Sequence, residues 1–131
     1  TPAGRAARQC NQDLAGKAGN FAPETSASMY ANYFSSLSGG SELVYTIAAN
    51  YVSEFNSTGV ADPAGDHDAS TKIDLNIRLM MENGLEIKLF GKNVTDEIVG
   101  SSSLALPLTP GSFFKLWEPG KQFGISIRKS F

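Results

Sequence analysis

A polar loop near the middle of the chain holds the densest group of side chains that could bind a metal or act on a substrate. It contains Asp62, Asp66, His67 and Asp68 within seven consecutive positions. Carboxylate oxygens of this kind bind calcium or another hard cation, but the spacing is not the twelve-residue pattern of an EF-hand. No nucleophile stands beside His67 in the sequence, so a hydrolytic site is not supported. The alternative interpretation is an ordinary solvated polar loop.

Aromatic side chains crowd the last long loop, where Phe113, Phe114 and Trp117 lie within five positions of one another. With Lys115 beside them, these rings could stack on a ligand ring or on a sugar. They could equally pack the loop on itself, or contribute to an aromatic girdle at a lipid interface. The sequence leaves ligand contact, internal packing and girdle open for these three residues.

Alternation of apolar and polar residues with a period of two predicts the strands that hold these loops in place. The last stretch alternates over eleven positions, with Phe123, Ile125 and Ile127 on a dry face and Arg128 on a wet one. Such a length also suits one crossing of a bilayer by a tilted strand. Five strands are predicted, at about 24–35, 42–53, 71–81, 85–93 and 121–131.

The hairpin between the third and fourth predicted strands has a register that can be argued from the sequence. A two-residue Asn-Gly turn would place Arg78 opposite Leu89, on conflicting faces. A three-residue turn closed by Met81 and Leu85 keeps apolar residues opposite apolar ones, with Gly84 in the left-handed region. Asp74 would then lie opposite Lys92 in the same hairpin.

Composition excludes several classes of protein. The 131 residues carry a net charge of −2, which argues against a nucleic-acid partner. Charged residues make up 18% and hydrophobic residues 41%, so the chain is neither disordered nor a helical membrane protein. No run of about 18 apolar residues exists, which does not exclude a transmembrane barrel built from strands. Cys10 is the only cysteine, and no Cys/His cluster predicts a metal or other cofactor.

Connections between the predicted strands alternate between short and long. The short turns are 37–41 and 82–84, and the long loops are 54–70 and 94–120, with 1–22 as a further loop segment. All six prolines lie outside strand interiors. This alternation is typical of outer-membrane barrels, whose short turns are periplasmic and whose long loops face outward. Because bacterial barrels need at least about 8 strands, five strands require further ones. The chain begins at Thr1 in a predicted loop and is expected to be a processed piece, a fragment or part of a split barrel.

Three motifs together resemble the C-terminal part of a TonB-dependent receptor of a Gram-negative outer membrane. The first is the ending Pro119-Gly-Lys-Gln-Phe-Gly-Ile-Ser-Ile-Arg-Lys-Ser-Phe131, similar to the family's final strand. The second is Leu89-Phe-Gly-Lys-Asn-Val-Thr-Asp-Glu97, similar to the Asn-Leu-Thr-Asp segment after the penultimate strand. The third is Asn20-Phe-Ala-Pro-Glu-Thr-Ser-Ala-Ser-Met-Tyr-Ala-Asn-Tyr33, similar to the Asn-Ala-Pro segment before an earlier strand. The resemblance covers about 11–131 and departs from the family at Lys129.

The resemblance implies a fold and a function. The fold is all-β, an antiparallel transmembrane β-barrel segment that supplies the last five strands of a plugged barrel of about 22 strands and is not closed by this chain alone. The function is active uptake of a scarce ligand of the siderophore, cobalamin or oligosaccharide class, without catalysis or cofactor. The implied partners are the remaining barrel strands and plug, TonB with ExbB and ExbD, outer-membrane lipid, and the barrel assembly machinery.

Two groups of residues take roles from this reading. The C-terminal assembly signal resembles that of the family and comprises Phe123, Gly124, Ile125, Ile127 and Phe131. The charged wet-face residues would line the lumen, where they could guide a charged substrate or pair with one another and with the plug. They are Lys72, Asp74, Arg78, Glu86, Lys88, Lys92 and Arg128. The alternative functions are a passive porin-like barrel and a soluble antiparallel β ligand-binding module.

Overall fold

The computed structural model describes residues 15–16, 19, 21–58, 62–109 and 111–130. Within these ranges the chain is all-β, with antiparallel sheets and a short 3-10 helix at Pro63–Gly65. None of the helical structure in the described ranges is long and apolar enough to cross a membrane. The strands are β1 (Ser26–Ser36), β2 (Glu42–Val52), β3 (Phe55–Asn56), β4 (Asp66–His67), β5 (Ser70–Met80), β6 (Leu85–Lys92), β7 (Gly100–Ala105), β8 (Phe113–Trp117) and β9 (Gln122–Lys129).

The five long strands form one antiparallel sheet in the order β1-β2-β5-β6-β9. Each begins and ends within two residues of the strand predicted from alternation. The sheet is not closed, since β1 and β9 are its two edges. The short strands pair separately, β3 with β4 and β7 with β8.

The register keeps apolar residues of all five long strands on the same face. One row of directly opposed residues crosses the whole sheet and runs through Tyr33, Tyr45, Ile77, Leu89 and Ile125. Because a slip of one residue would turn a whole strand over, this row fixes which face each remaining residue occupies. We call this side of the sheet the apolar face and the opposite side the polar face.

The turn between β5 and β6 has the predicted register. The amide of Met81 donates to the carbonyl of Leu85 at 2.8 Å, and the amide of Gly84 donates to the carbonyl of Met81 at 3.0 Å. Gly84 has φ +78, so the left-handed position of this three-residue turn is taken by the residue that tolerates it best. Continuing this register places Asp74 opposite Lys92, as predicted. The hydrogen bond of the Asp74 carboxylate is with another residue, since it accepts the amide of Asn93 at 2.8 Å.

The segment 94–120, predicted as a long loop, contains the hairpin β7–β8. This correction has a clear cause in the sequence. The β7 segment reads Gly-Ser-Ser-Ser-Leu-Ala, which has no apolar alternation, and β8 is apolar on both of its sides. The loop 54–70 likewise holds β3, β4 and the 3-10 helix before β5 begins at Ser70. Pairing between neighbouring segments therefore orders both loops, and periodicity does not reveal it.

The sheet has no hydrophobic core of its own. Val44 is the one buried apolar side chain among the residues that the structure describes. On the apolar face, by contrast, Phe123 is 72% exposed, Ile125 62% and Ile127 66%. A contiguous apolar surface on this scale is characteristic of an interface with lipid or with another protein. The five strands therefore need a surrounding phase or partner to cover this face.

Candidate functional site

The charged residues predicted to face a lumen all lie on the polar face. They alternate with the apolar row and come from β5, β6 and β9. They are Lys72, Asp74, Arg78, Glu86, Lys88, Lys92 and Arg128. The register places Arg78 directly opposite Lys88, and Glu86 directly opposite Arg128. The sheet thus brings together cations and carboxylates that are up to 56 positions apart in the sequence.

A cleft of about 490 Å³ lies on the polar face between β5, β6 and β9. Its walls include Arg78, Lys88, Lys92 and Arg128, and its one carboxylate is Glu86. Arg78 Nε lies 3.9 Å from Glu86 Oε1, at the long limit of an ion pair between half-exposed groups. Above the cleft, Lys72 Nζ contacts Glu118 Oε2 at 2.5 Å, which brings the chain just beyond the hairpin onto the sheet.

Phe90 is an aromatic residue on the polar face. The alternation of apolar and polar residues does not reveal its role. It lies opposite Gly124, and its ring covers that residue so closely that a Cβ on Gly124 would lie 2.3 Å from the ring. Lys88 Nζ lies 5.8 Å from the centre of the same ring, at cation–π distance. Gly124, predicted as part of an assembly signal, therefore has a packing role as the floor beneath Phe90.

The segment Asn93-Val-Thr-Asp96 forms a clamp at the end of β6. Asn93 is buried and adopts a left-handed conformation with φ +47. Its Oδ1 accepts the amide of Glu97 at 3.0 Å, and its Nδ2 donates to the Glu97 carbonyl at 2.9 Å and to the Pro119 carbonyl at 3.5 Å. One side chain thereby joins the end of β6 to the chain just before β9.

Asp96 and Val94 extend the clamp to the neighbouring strands. The amide of Val94 donates to the carbonyl of Ile73 at 2.8 Å, which continues the pairing of β5 beyond β6. Asp96 Oδ1 accepts the amide of Lys121 at 3.0 Å, and Lys121 Nζ lies 3.1 Å from Asp96 Oδ2. The hydrogen bond from the Lys121 amide, followed by that from its side chain, lowers the pKa of Asp96. The clamp therefore fixes both ends of the connection that carries β7 and β8.

The polar loop 54–70 uses its carboxylates for its own hydrogen bonds. Asp62 Oδ1 accepts the amide of Ala64 at 2.8 Å, and Asp66 Oδ1 accepts Asn56 Nδ2 at 2.6 Å. Asp68 is exposed. Within the described ranges, no group of three or more His, Cys, Asp or Glu residues is placed to hold a metal. The calcium interpretation of this loop therefore has no support in the geometry.

His67 is a buried structural residue at the centre of the loop region. Its Nε2 lies 2.7 Å from Ser57 Oγ, its ring stacks on Phe55 at 4.8 Å, and it lies against Gly100 of β7. Burial is the largest cause that lowers the pKa of His67, followed by the charge of Lys115. The hydroxyl of Ser57 lies beside His67 in space, although ten positions separate the two residues in the sequence. Because Ser57 is 0% exposed, this pair cannot meet a substrate and instead joins the loop to the hairpin.

The hairpin β7–β8 separates the three aromatic residues of the last long loop. Phe113 and Trp117 lie on one side together with Lys115, whose Nζ is 5.9 Å from the centre of the Trp117 ring. Phe114 points to the other side, opposite Leu104 of β7. Trp117 is 57% and Phe114 51% exposed, so neither ring is fully used by packing of the loop on itself.

The assembly-signal residues divide between the two faces of β9. Phe123, Ile125 and Ile127 lie on the apolar face, and Gly124 lies on the polar face. Phe131 lies outside the described residues. Lys129 falls on the apolar face opposite Leu85, and its ammonium donates to the carbonyl of Asn83 in the turn. The one charge that interrupts the apolar side of β9 is therefore held at the turn end of the sheet.

Sequence reasoning missed the residues that hold these regions in place, namely Ser57, Phe90 and Glu118, and gave Asn93 no structural role. Each acts on a partner at least five positions away on another segment, and for Glu118 the partner is 46 positions away. No local pattern marks such contacts.

Comparison with protein-family models, curated proteins and solved structures gave no match to this chain.

Proposed function

We propose that this chain forms part of the wall of a TonB-dependent outer-membrane receptor for active uptake of a scarce ligand. The observation that carries the proposal is the two-sided sheet. One side is a continuous exposed apolar face, crossed by the row from Tyr33 to Ile125, and the other is polar and charged. This arrangement is what a barrel wall with lipid outside and an aqueous or plugged lumen inside requires.

Strand length is in keeping with a membrane crossing. β1, β2 and β5 have 11 residues each, which matches the 9–11 residues of a tilted transmembrane strand. β6 has 8 residues, but its ladder continues through Met81 at one end and Val94 at the other. The short turns lie at one end of the sheet, and the clamp and hairpin lie at the other, which would face outward.

The receptor assignment within the barrel class rests on the family resemblance of the clamp segment and of the final strand. The resemblance implies that the receptor is coupled to TonB, ExbB and ExbD and is assembled by the barrel assembly machinery. It also implies a ligand of the siderophore, cobalamin or oligosaccharide class. The clamp explains why the second motif, at 89–97, contains Asn93 and Asp96. Both residues have left-handed backbones, and their side chains join β6 to β9.

An Arg placed on each face of β9 in turn tests the membrane orientation. Ile125→Arg would put a charge into lipid, which costs about 2–4 kcal/mol near the bilayer midplane. Ser126→Arg is the matched control, because the neighbouring residue faces the polar side. We expect the first variant to lose most of the folded, heat-resistant protein from the outer-membrane fraction, and the second to keep it. Equal assembly of the two variants would count against the proposal.

Energy coupling is tested by uptake. A deletion strain should grow more slowly on at least one of the candidate nutrients, and a protonophore should abolish uptake of that nutrient by the wild type. Steady ion conductance of the purified assembly in the absence of TonB would favour the porin-like alternative. Extraction of the protein from membranes without detergent would favour the soluble β module.

A further inference from the structure

We propose that the cleft on the polar face is a binding site for a small organic anion that carries carboxylate or phosphate groups. The inference rests on the proposed function, because the polar face encloses a lumen only if the apolar face lies in lipid. It adds the chemical class of the ligand. The cleft lies between β5, β6 and β9 and has a volume of about 490 Å³, which falls within the range of small-molecule sites.

Charge is the first observation that selects an anion. The cleft has Arg78, Lys88, Lys92 and Arg128 in its walls against the single carboxylate of Glu86. Among the residues that the structure describes, no carboxylate lies within 4.0 Å of Lys88, Lys92 or Arg128. The nearby cation Lys72 differs, since Glu118 neutralises it at 2.5 Å. Three cations therefore remain without an ion pair in one recess.

The strand register is the second observation. Arg78 and Lys88 are directly opposed residues of β5 and β6 on the same face. Like charges in this position destabilise a sheet, whereas opposite charges stabilise it. Glu86 neutralises only one of them, and weakly, because its Oε1 lies 3.9 Å from Arg78 Nε. An anion bound between the two side chains would remove the repulsion that the sheet otherwise carries.

Phe90 is the third observation and favours an organic anion over an inorganic ion. Its ring covers Gly124 inside the cleft, and Phe90 lies between Lys88 and Lys92 along β6. The cleft residues of β6 run from Glu86 to Lys92, a distance of about 20 Å along an extended strand. A ligand that places an apolar part on the ring and its anionic groups on the flanking ammonium groups would use the whole recess.

Binding of defined probes to the full assembled protein in detergent tests this site. Citrate and phenyl phosphate are organic anions that present carboxylate and phosphate oxygens, and isothermal titration calorimetry at low salt measures their affinities. We expect saturable binding of at least one probe, weakened about tenfold or more in Lys88→Gln and in Arg128→Gln, since each variant loses one charge-assisted hydrogen bond to the anion.

Lys129→Gln is the matched control for Arg128→Gln. The two positions are adjacent in β9 and lose the same charge, but Lys129 lies on the apolar face. We expect the control to bind within about twofold of the wild type, because only the polar face forms the cleft. Equal losses in both variants would show a nonspecific charge effect and overturn the proposal. No saturable binding of either probe to the wild type would also overturn it, including the case in which an acidic protein segment already fills the cleft. Failure of the proposed function appears separately, as normal growth of the deletion strain on every candidate nutrient.

Discussion

At the scale of single residues, the loop side chains best suited to metal binding or catalysis prove to be structural. His67 is enclosed by Phe55, Ser57 and Gly100, and Asp62 and Asp66 accept hydrogen bonds from their own loop. A buried polar group that finds a partner stabilises the fold, and one left without a partner costs about 1–3 kcal/mol. These residues therefore determine where the loop 54–70 lies.

Asn93→Ala should lower the free energy of unfolding by about 1–3 kcal/mol, because Glu97 and Pro119 lose their buried partner and a left-handed residue loses the amide that suits it. Denaturant titration of the protein folded in detergent measures the change. Asn76→Ala is the control, since the Asn76 amide group has no hydrogen-bond partner within the described ranges, and a change within about 0.5 kcal/mol is expected there. Equal losses would show that the clamp contributes nothing specific.

Protonation of His67 should loosen the loop at mildly acidic pH. Burial and Lys115 lower the pKa of His67 from 6.5, while Asp66 and Asp68 oppose the shift. Because the folded state binds this proton at lower pH than the unfolded state does, the stabilisation is complete above pH 6.5 and is lost as the pH falls through the folded-state pKa. Exchange of the Ser57 amide, which donates to the Gly65 carbonyl at 2.9 Å, should accelerate accordingly after correction for its intrinsic rate.

His67→Gln provides the control for this pH effect, because the chain has a single histidine. The variant should exchange the Ser57 amide at a corrected rate that no longer changes between about pH 8 and about pH 5. A pH dependence that persists in the variant would show that the effect does not come from the imidazole.

At the scale of elements, neighbouring strands are matched by individual side-chain contacts as well as by the ladder of backbone hydrogen bonds. β6 and β9 are paired over eight residues, and at one of these pairs the Phe90 ring occupies the space that a side chain on Gly124 would need. Glycine weakens a strand interior, so an aromatic neighbour that covers it offsets part of that cost. The pair therefore gives this register a specific fit on the polar face, in addition to the apolar row on the other.

Gly124→Ala should displace the Phe90 ring and destabilise the β6–β9 pair by about 1 kcal/mol or more. In a Phe90→Ala background the same substitution should cost little, because the obstructing ring is absent. A double-mutant cycle from denaturant titration measures the coupling, expected at about 0.5–3 kcal/mol. Strictly additive effects of the two substitutions would show that the contact does not contribute to stability.

At the scale of the whole molecule, the sheet is incomplete in two respects. It buries one apolar side chain, Val44, within the described ranges, and it ends in two unpaired edges at β1 and β9. In lipid each unpaired backbone group costs several kcal/mol, so edges of this length would outweigh the stability of a typical domain. If the apolar face lies in lipid, as proposed, the folded particle is therefore expected to contain further strands that pair with both edges.

Native mass spectrometry of the detergent-extracted particle checks this expectation. We expect a folded species several times heavier than the 13.9 kDa of these 131 residues. A denaturing measurement on the same sample then separates one long polypeptide from an assembly of two or more chains. A folded monomer of about 13.9 kDa would contradict the requirement for further strands.

The amino-acid sequence alone is enough to predict the five long strands, their faces and the turn at Gly84, because a period of two and the rule that apolar residues pair across strands are local constraints. It also assigned the seven charged residues to one face. Three features appear only in the folded chain, namely the pairing of β7 with β8, the side chains that enclose His67, and the contact of Phe90 with Gly124. Those contacts depend on how closely one segment of backbone approaches another, which no periodicity records. The cleft follows from the same cause, since Arg78 meets Lys88 and Arg128 joins them only when three strands lie side by side.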